Sequence, residues 1–191
     1  AVSLLNAGQD IVIVDNLYNS SPKVIDRIET ITGKRPAFVE ADCCDKAAMD
    51  KVFSDYDITG VIHFAGLKAV GESVEKPLLY YRNNLATLIN LLDLMPGFGV
   101  KGIVFSSSCT VYGEPDKNPI DETAPIKPAT SPYGNTKQIS EEIITDYIAS
   151  GAPVKSIILR YFNPIGAHPS GKIGELPIGV PGNLVPYMTQ A

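Results

Sequence analysis

Along the chain, short continuous apolar runs alternate with longer stretches in which apolar residues recur every three or four positions. The run Ile11-Val12-Ile13-Val14-Asp15 is β-branched almost throughout, which predicts a strand buried on both faces of a sheet. Similar runs stand at residues 37–41, 61–65, 103–105 and 156–160. Between them, Ser21 followed by Pro22 predicts a helix start and Gly33 its stop. Asp45 is a candidate cap for the next helix, and residues 77–95 and 131–150 carry two long helical patterns. Residues 1–8, which do not begin with methionine, read as the last turns of a helix closed by Gly8. Residues 184–191 lie inside another helical pattern. Both ends are therefore expected to be cuts in a longer chain.

Buried strands alternating with helices predict an α/β fold with a doubly wound parallel sheet. In such sheets ligands sit beyond the carboxyl ends of the strands. The residues there are Asp15, Asp42, Ala65-Gly66, Ser106-Ser107-Ser108 and Tyr161-Phe162-Asn163, a polar set. After Phe162, Gly and Pro recur up to Gly182, a loop-like stretch expected to carry specificity.

Composition narrows this picture without changing it. The 191 residues are 45% hydrophobic and 19% charged, enough for one sizeable core. A net charge of -5 argues against nucleic acid, because no basic face is available to neutralise phosphates. No apolar run approaches the roughly 20 residues needed to cross a bilayer. Cys43, Cys44 and Cys109 have neither disulfide-framework nor metal-ligand spacing and suit a reducing, cytoplasmic setting. His63, inside a strand pattern, reads as a hydrogen-bonded core residue, His168 as a loop residue, and no metal is expected.

The candidate chemistry lies in Tyr133-Gly134-Asn135-Thr136-Lys137 at a helix start. Tyr and Lys four apart share one helical face, so the ammonium can approach the phenol. A phenol of pKa about 10 is a poor base at neutral pH. The cation and the helix N-terminus are both expected to favour the phenolate. Such a pair alone is common by chance. Ser108, after a predicted strand, adds a hydroxyl that could reach Tyr133 or a substrate. Asp15, closing the first strand, could accept hydrogen bonds from an adenosine ribose and would repel the extra phosphate of NADP, favouring NAD. Asp42 could meet the adenine edge.

Several segments together carry a family resemblance. They are Val14-Asp15-Asn16-Leu17 with Asn19-Ser20, His63-Phe64-Ala65-Gly66-Leu67-Lys68-Ala69-Val70-Gly71-Glu72-Ser73, and Ser106-Ser107-Ser108-Cys109-Thr110-Val111-Tyr112-Gly113. Ser131-Pro132-Tyr133-Gly134-Asn135-Thr136-Lys137 and Leu159-Arg160-Tyr161-Phe162-Asn163-Pro164, running on to Gly166-Ala167-His168, complete the set. On these the chain resembles the extended short-chain dehydrogenase/reductase superfamily and, within it, the UDP-glucose 4-epimerases. The resemblance implies an NAD-binding Rossmann domain over residues 1–161 and the start of a substrate-binding region over 162–191. It implies that Tyr133 is the base at the sugar 4-hydroxyl, that Lys137 tunes it and binds the nicotinamide ribose, and that Ser108 shuttles the proton. Asp15, Asn16, Asn19 and Ser20 would surround the adenosine ribose and Asp42 the adenine. Phe64, Ala65, Gly66, Lys68 and Asn83 would line the rest of NAD, with Tyr161 beside the nicotinamide. Lys68, Ser108, Tyr133, Phe162, Asn163 and Asn183 would face the UDP-sugar. The implied activity transiently oxidises the sugar at C4, and the implied assembly is a homodimer through the helices of residues 77–95 and 131–150.

The chain departs from that pattern in places. The family's first strand and its G-x-x-G-x-x-G turn, which cradles the NAD diphosphate, have no counterpart before Ala1. The sheet is thus expected to lack its first, central strand and to leave neighbouring strands without ladder partners. Most of the family's C-terminal region is also missing, and Gly182 stands where the family usually has Asn. Two other readings remain. A nucleotide-sugar 4,6-dehydratase shares the Tyr/Lys pair but needs Asp-Glu where this chain has Cys109 and Thr110. A non-catalytic NAD sensor would commonly have lost the Tyr or the Lys, and both are intact.

Overall fold

The computed structural model describes residues 1–175, 178–179 and 183–190, and it divides them into two compact units. One unit comprises Ala1–Asp42 and Asn163–Ala191, the other Cys43–Phe162. Both are α/β with parallel sheets, as the alternation of patterns predicted.

The first unit opens with helix α1 (Val2–Asn6), after which Gly8 takes a φ of 82° that only glycine adopts without strain. Strand β1 (Val12–Asp15) pairs in parallel with β2 (Ala37–Glu40), Val12 opposite Ala37 and Asp15 opposite Glu40. A parallel pair needs a crossover, and α2 (Lys23–Thr32) supplies it. Ile25 and Ile28 form its buried stripe, and Gly33 ends it at φ 70°. The helix starts one residue later than the sequence implied, with Pro22 as N-cap and the Ser21 hydroxyl accepting from the Lys23 amide. Among the described residues, the later part of this unit forms no helix or strand before α7 (Leu184–Gln190).

In the second unit the three-stranded sheet runs β3 (Val61–His63), β4 (Gly102–Ser108), β5 (Lys155–Tyr161), all parallel. Before it comes α3 (Lys46–Asp55), capped as expected by Asp45, whose carboxylate accepts from the Ala47 and Ala48 amides. Helices α4 (Val70–Glu75) and α5 (Pro77–Leu94) connect β3 to β4, and α6 (Pro132–Ala149) connects β4 to β5. Tyr80, Leu88, Leu91 and Leu92 are buried on α5, which packs against α6 and α3. With Phe105, Val111 and Ile144 they make the core.

Strand ladders bear on two expectations. Among the described residues β1 bonds only to β2, and β3 only to β4, so each keeps an edge without a ladder partner. The expected burial of every strand on both faces does not hold. In β5 burial alternates residue by residue, Ile157 being 59% and Leu159 38% exposed, and Ile62 of β3 is also open. Within this unit α6 packs on one face of β4 and β5, the face of Ile103 and Phe105, and an apolar run cannot reveal that only one face is covered.

Candidate active site

Strand β4 runs further than its apolar core, because Ser106, Ser107 and Ser108 continue its ladder with β5. The chain then tightens into a 3-10 turn, Cys109–Tyr112, capped by Ser108. Here the Ser108 hydroxyl oxygen accepts from the Thr110 amide at 3.2 Å and from the Thr110 hydroxyl at 3.0 Å. Two donors occupy its lone pairs, so its own proton points elsewhere.

Its effect is felt at Tyr133. Helix α6 starts with the Ser131 side chain accepting from the Gly134 amide at 3.1 Å, followed by Pro132 in the first turn. Gly134 lets the turn pack closely, since a Cβ there would lie 3.3 Å from Thr110. Tyr133 is therefore held over the 3-10 turn. Burial pushes its phenol up from the ordinary value, and the hydrogen bond from Ser108 pulls it back part of the way.

This corrects the expectation that Lys137 moves the phenol toward basicity. Lys137 is 8% exposed, and its ammonium donates to the Ser106 carbonyl at 2.7 Å. It lies over the Phe105 ring at 4.9 Å and reaches only 5.9 Å from the centre of the Tyr133 ring. Desolvation outweighs a cation at that range. The same burial brings Lys137 itself down to about 8. His63, below it in β3, is bonded to the Thr87 hydroxyl at 3.3 Å and held down to about 3, first by burial and then by the Lys137 charge. It is the hydrogen-bonded core residue the pattern implied. Among the described residues no group of His, Cys, Asp or Glu could hold a metal.

Sequence reasoning missed Asn84. Its amide accepts from Leu67 N at 2.8 Å, donates to Leu67 O at 3.0 Å, and donates to the Thr136 hydroxyl at 3.1 Å. Thr136 in turn bonds the Tyr133 carbonyl at 2.7 Å. One buried asparagine thus ties the loop after β3, which holds Ala65, Gly66 and Lys68, to the first turn of α6. Gly66 fits beside it with φ 153°, where a Cβ would come 3.2 Å from the Asn84 amide oxygen. Only the long-range pairing identifies Asn84, because its neighbour Asn83 looks equivalent in sequence.

The other predicted residues fall into three groups. Phe64 and Tyr161 present exposed rings 6.2 Å apart, and Phe162 is exposed next to Tyr161. Ala65 is half-buried and Lys68 exposed, while Asn83 bonds Cys44 Sγ at 3.4 Å. In the other unit, Asp15 Oδ1 accepts from the Leu17 amide at 2.7 Å and the Ser20 hydroxyl at 2.9 Å. Asn16 donates to Asp42 at 3.3 Å and accepts from the Tyr18 amide, so four of the five adenosine-side residues adjoin. The fifth, Asn19, is exposed, as is Asn163, and Asn183 donates to Glu175 at 3.0 Å. Gly182 lies outside the described residues.

A model of the NAD dependent epimerase/dehydratase family matches residues 1–178. A UDP-glucose 4-epimerase of Bacillus subtilis is 54% identical over 189 residues, which cover 99% of this chain and 56% of the relative. A solved UDP-glucose 4-epimerase from Bifidobacterium longum, in complex with NAD+ and UDP, superposes with a TM-score of 0.96 at 49% identity. One from Stenotrophomonas maltophila, with bound NAD and formylated UDP-arabinopyranose, gives 0.94 at 48%. Each alignment covers 99% of this chain and 56% of the solved one. The chain spans about half the length of the relatives it matches.

Proposed function

This chain belongs to the NAD dependent epimerase/dehydratase family, and on that premise we propose that the whole protein is a UDP-glucose 4-epimerase. It would be an NAD-dependent isomerase of galactose metabolism, interconverting UDP-glucose and UDP-galactose through a 4-keto sugar. The observation that carries this reading is the set of Ser108, Tyr133 and Lys137, closed around one buried strand end. Cys109 and Thr110 speak against the 4,6-dehydratase, because neither supplies the acid and base that eliminating water requires.

The residues present fit NAD. Both hydrogen bonds of Asp15 fall on Oδ1, which leaves Oδ2 to accept from a ribose hydroxyl. Its negative charge opposes a further phosphate there. Asn16, Asn19, Ser20 and Asp42 would complete the adenosine side, and Phe64, Ala65, Gly66, Lys68, Asn83 and Tyr161 the remainder. When bound, NAD supplies an acceptor that takes the C4 hydrogen with its electron pair and gives it back.

The chain's own residues handle the proton. Tyr133 takes it from the sugar 4-hydroxyl, and later returns it when the sugar presents its other face. Ser108, its proton turned from Thr110, would donate that proton to the phenol or to the sugar oxygen, one at a time. Lys137, a cation below about pH 8, would hold a ribose hydroxyl beside the phenol. Lys68, Phe162, Asn163 and Asn183 would grip the UDP-sugar.

Two coarser features complete the reading. No described helix is long and apolar enough to cross a membrane, and the cysteine spacing, which suits a reducing setting, is what supports a cytoplasmic enzyme. Leu78, Leu79 and Ile89 stand exposed on α5, which supports a homodimer through that helix and α6. The test of function is to supply the whole protein with UDP-galactose and NAD and to measure UDP-glucose and NADH. Conversion without net NADH is expected. Binding without conversion would remove the reaction and keep the fold.

A further inference from the structure

Helix α6 carries a third residue in step with the catalytic pair. Tyr133, Lys137 and Glu141 are each four apart, so they form one stripe along the helix. This stripe reads three successive residues of β4. Lys137 donates to the Ser106 carbonyl and Glu141 accepts from the Ser107 hydroxyl, while Ser108, the next residue, lowers the phenol of Tyr133. Glu141 is 6% exposed and Ser107 2%, so their bond is as deeply buried as that of Lys137.

Glu141 does not act alone. Arg160 of β5, directly opposite Ser107 in the ladder, donates to Glu141 Oε1 at 3.0 Å and Oε2 at 2.7 Å. A two-pronged guanidinium contact of this kind fixes both distance and direction. The Arg160 guanidinium also lies 4.8 Å from the centre of the Tyr112 ring, at the end of the turn that follows Ser108. The Ser108 backbone is therefore gripped on both sides, by Ser107 before it and Tyr112 after it. Tyr161, the ladder partner of Ser108, is the residue next to Arg160.

We propose that Glu141, through Ser107 and Arg160, is a positioning residue of the active site, holding the end of β4 so that Ser108 meets Tyr133 and the Ser106 carbonyl meets Lys137. Its carboxylate is committed to Ser107 and Arg160, so it acts through them. The effect on turnover rests on the epimerase reading, whereas the effect on the geometry around Tyr133 does not.

The test uses Ser107→Ala, which removes a single hydroxyl, with Glu141→Gln beside it and Ser107→Thr as the conservative control, all in the whole protein. Two quantities are measured: the kinetics on UDP-galactose, and the Tyr133 tyrosinate midpoint from the ultraviolet titration signal that Tyr133→Phe abolishes. In Ser107→Ala we expect kcat to fall roughly tenfold with KM within about twofold, as for a group that acts on the transition state through others. We also expect the midpoint to rise by about half a pH unit or more as Ser108 loosens its bond. Ser107→Thr should retain both values. A purely structural role would lower the melting temperature and leave kcat and the midpoint of the folded protein unchanged, and that result overturns the proposal. If Glu141→Gln does not fold, Ser107→Ala carries the test. If the unsubstituted protein binds UDP-galactose without converting it, the epimerase reading falls and the midpoint decides: a rise keeps the positioning role, and no shift removes it.

Discussion

The polar groups at the strand ends of residues 43–162 are buried and, Ser108 apart, bonded to residues far away along the chain, whereas those that follow β1 are open and mostly bonded to near neighbours. Lys137 reaches Ser106 across 31 positions and Asn84 reaches Thr136 across 52. Asp15, by contrast, is bonded two and five residues ahead, to Leu17 and Ser20. The proposed function places different demands on the two regions. Moving a proton requires donors and acceptors fixed to tenths of an ångström, with pKa values set by burial. Holding a ribose requires an acceptor of the right charge, which a self-bonded turn can present at the surface. Substitutions should separate the two sharply.

The largest effect is expected at the buried end. Tyr133→Phe removes the oxygen to which the proposed function assigns the proton and keeps the ring, so turnover should fall by roughly a thousandfold or more while UDP-sugar affinity changes little. Steady-state kinetics together with calorimetric binding of UDP-galactose check this, and turnover near that of the unsubstituted protein would overturn the role of Tyr133.

Burial should also give this region its own pH dependence. Unfolded, His63 takes a proton below about pH 6.5; folded, it resists down to about 3. Between those values the unfolded state binds the extra proton, so stability falls as the pH falls through the window. The contribution is up to roughly 5 kcal/mol across the full window. Urea unfolding from pH 7 to pH 4 should show it, with His63→Gln, which cannot titrate, having a shallower slope. Equal slopes would mean that His63 is protonated in the folded protein.

Much of the first region was legible because its interactions are local. The run ending in Asp15 sets the strand, and the acid is bonded within five residues of itself. The Tyr133 and Lys137 pair was legible for the same reason, being one helical turn. What was not legible depended on which elements meet. Thr110 directing the Ser108 proton needs the 3-10 turn, Asn84 needs α5 packed on α6, and Glu141 needs Arg160 beside Ser107 in the ladder. The direction of the Tyr133 shift also escaped, because spacing places Lys137 nearby without saying that its ammonium is committed to Ser106. The open face of β5 escaped for a simpler reason. Apolar residues mark a face that is to be covered, and nothing in their order says by what.

The same substitution in each region gives the cleanest contrast. Asn84→Ala deletes one buried and two part-buried hydrogen bonds and leaves the Leu67 amide and carbonyl without their partner, which should cost about 2–4 kcal/mol. It should also lower kcat, because the first turn of α6 loses its tie to the loop after β3. Asn16→Ala deletes one long, exposed bond to Asp42 and one to the Tyr18 amide, both groups that water can satisfy instead. Its stability cost should stay within about 0.5 kcal/mol. Denaturant unfolding of the two variants side by side measures the difference. A cost for Asn16→Ala approaching that of Asn84→Ala would mean that the adenosine side is as rigidly built as the catalytic side, and that surface position does not distinguish the two.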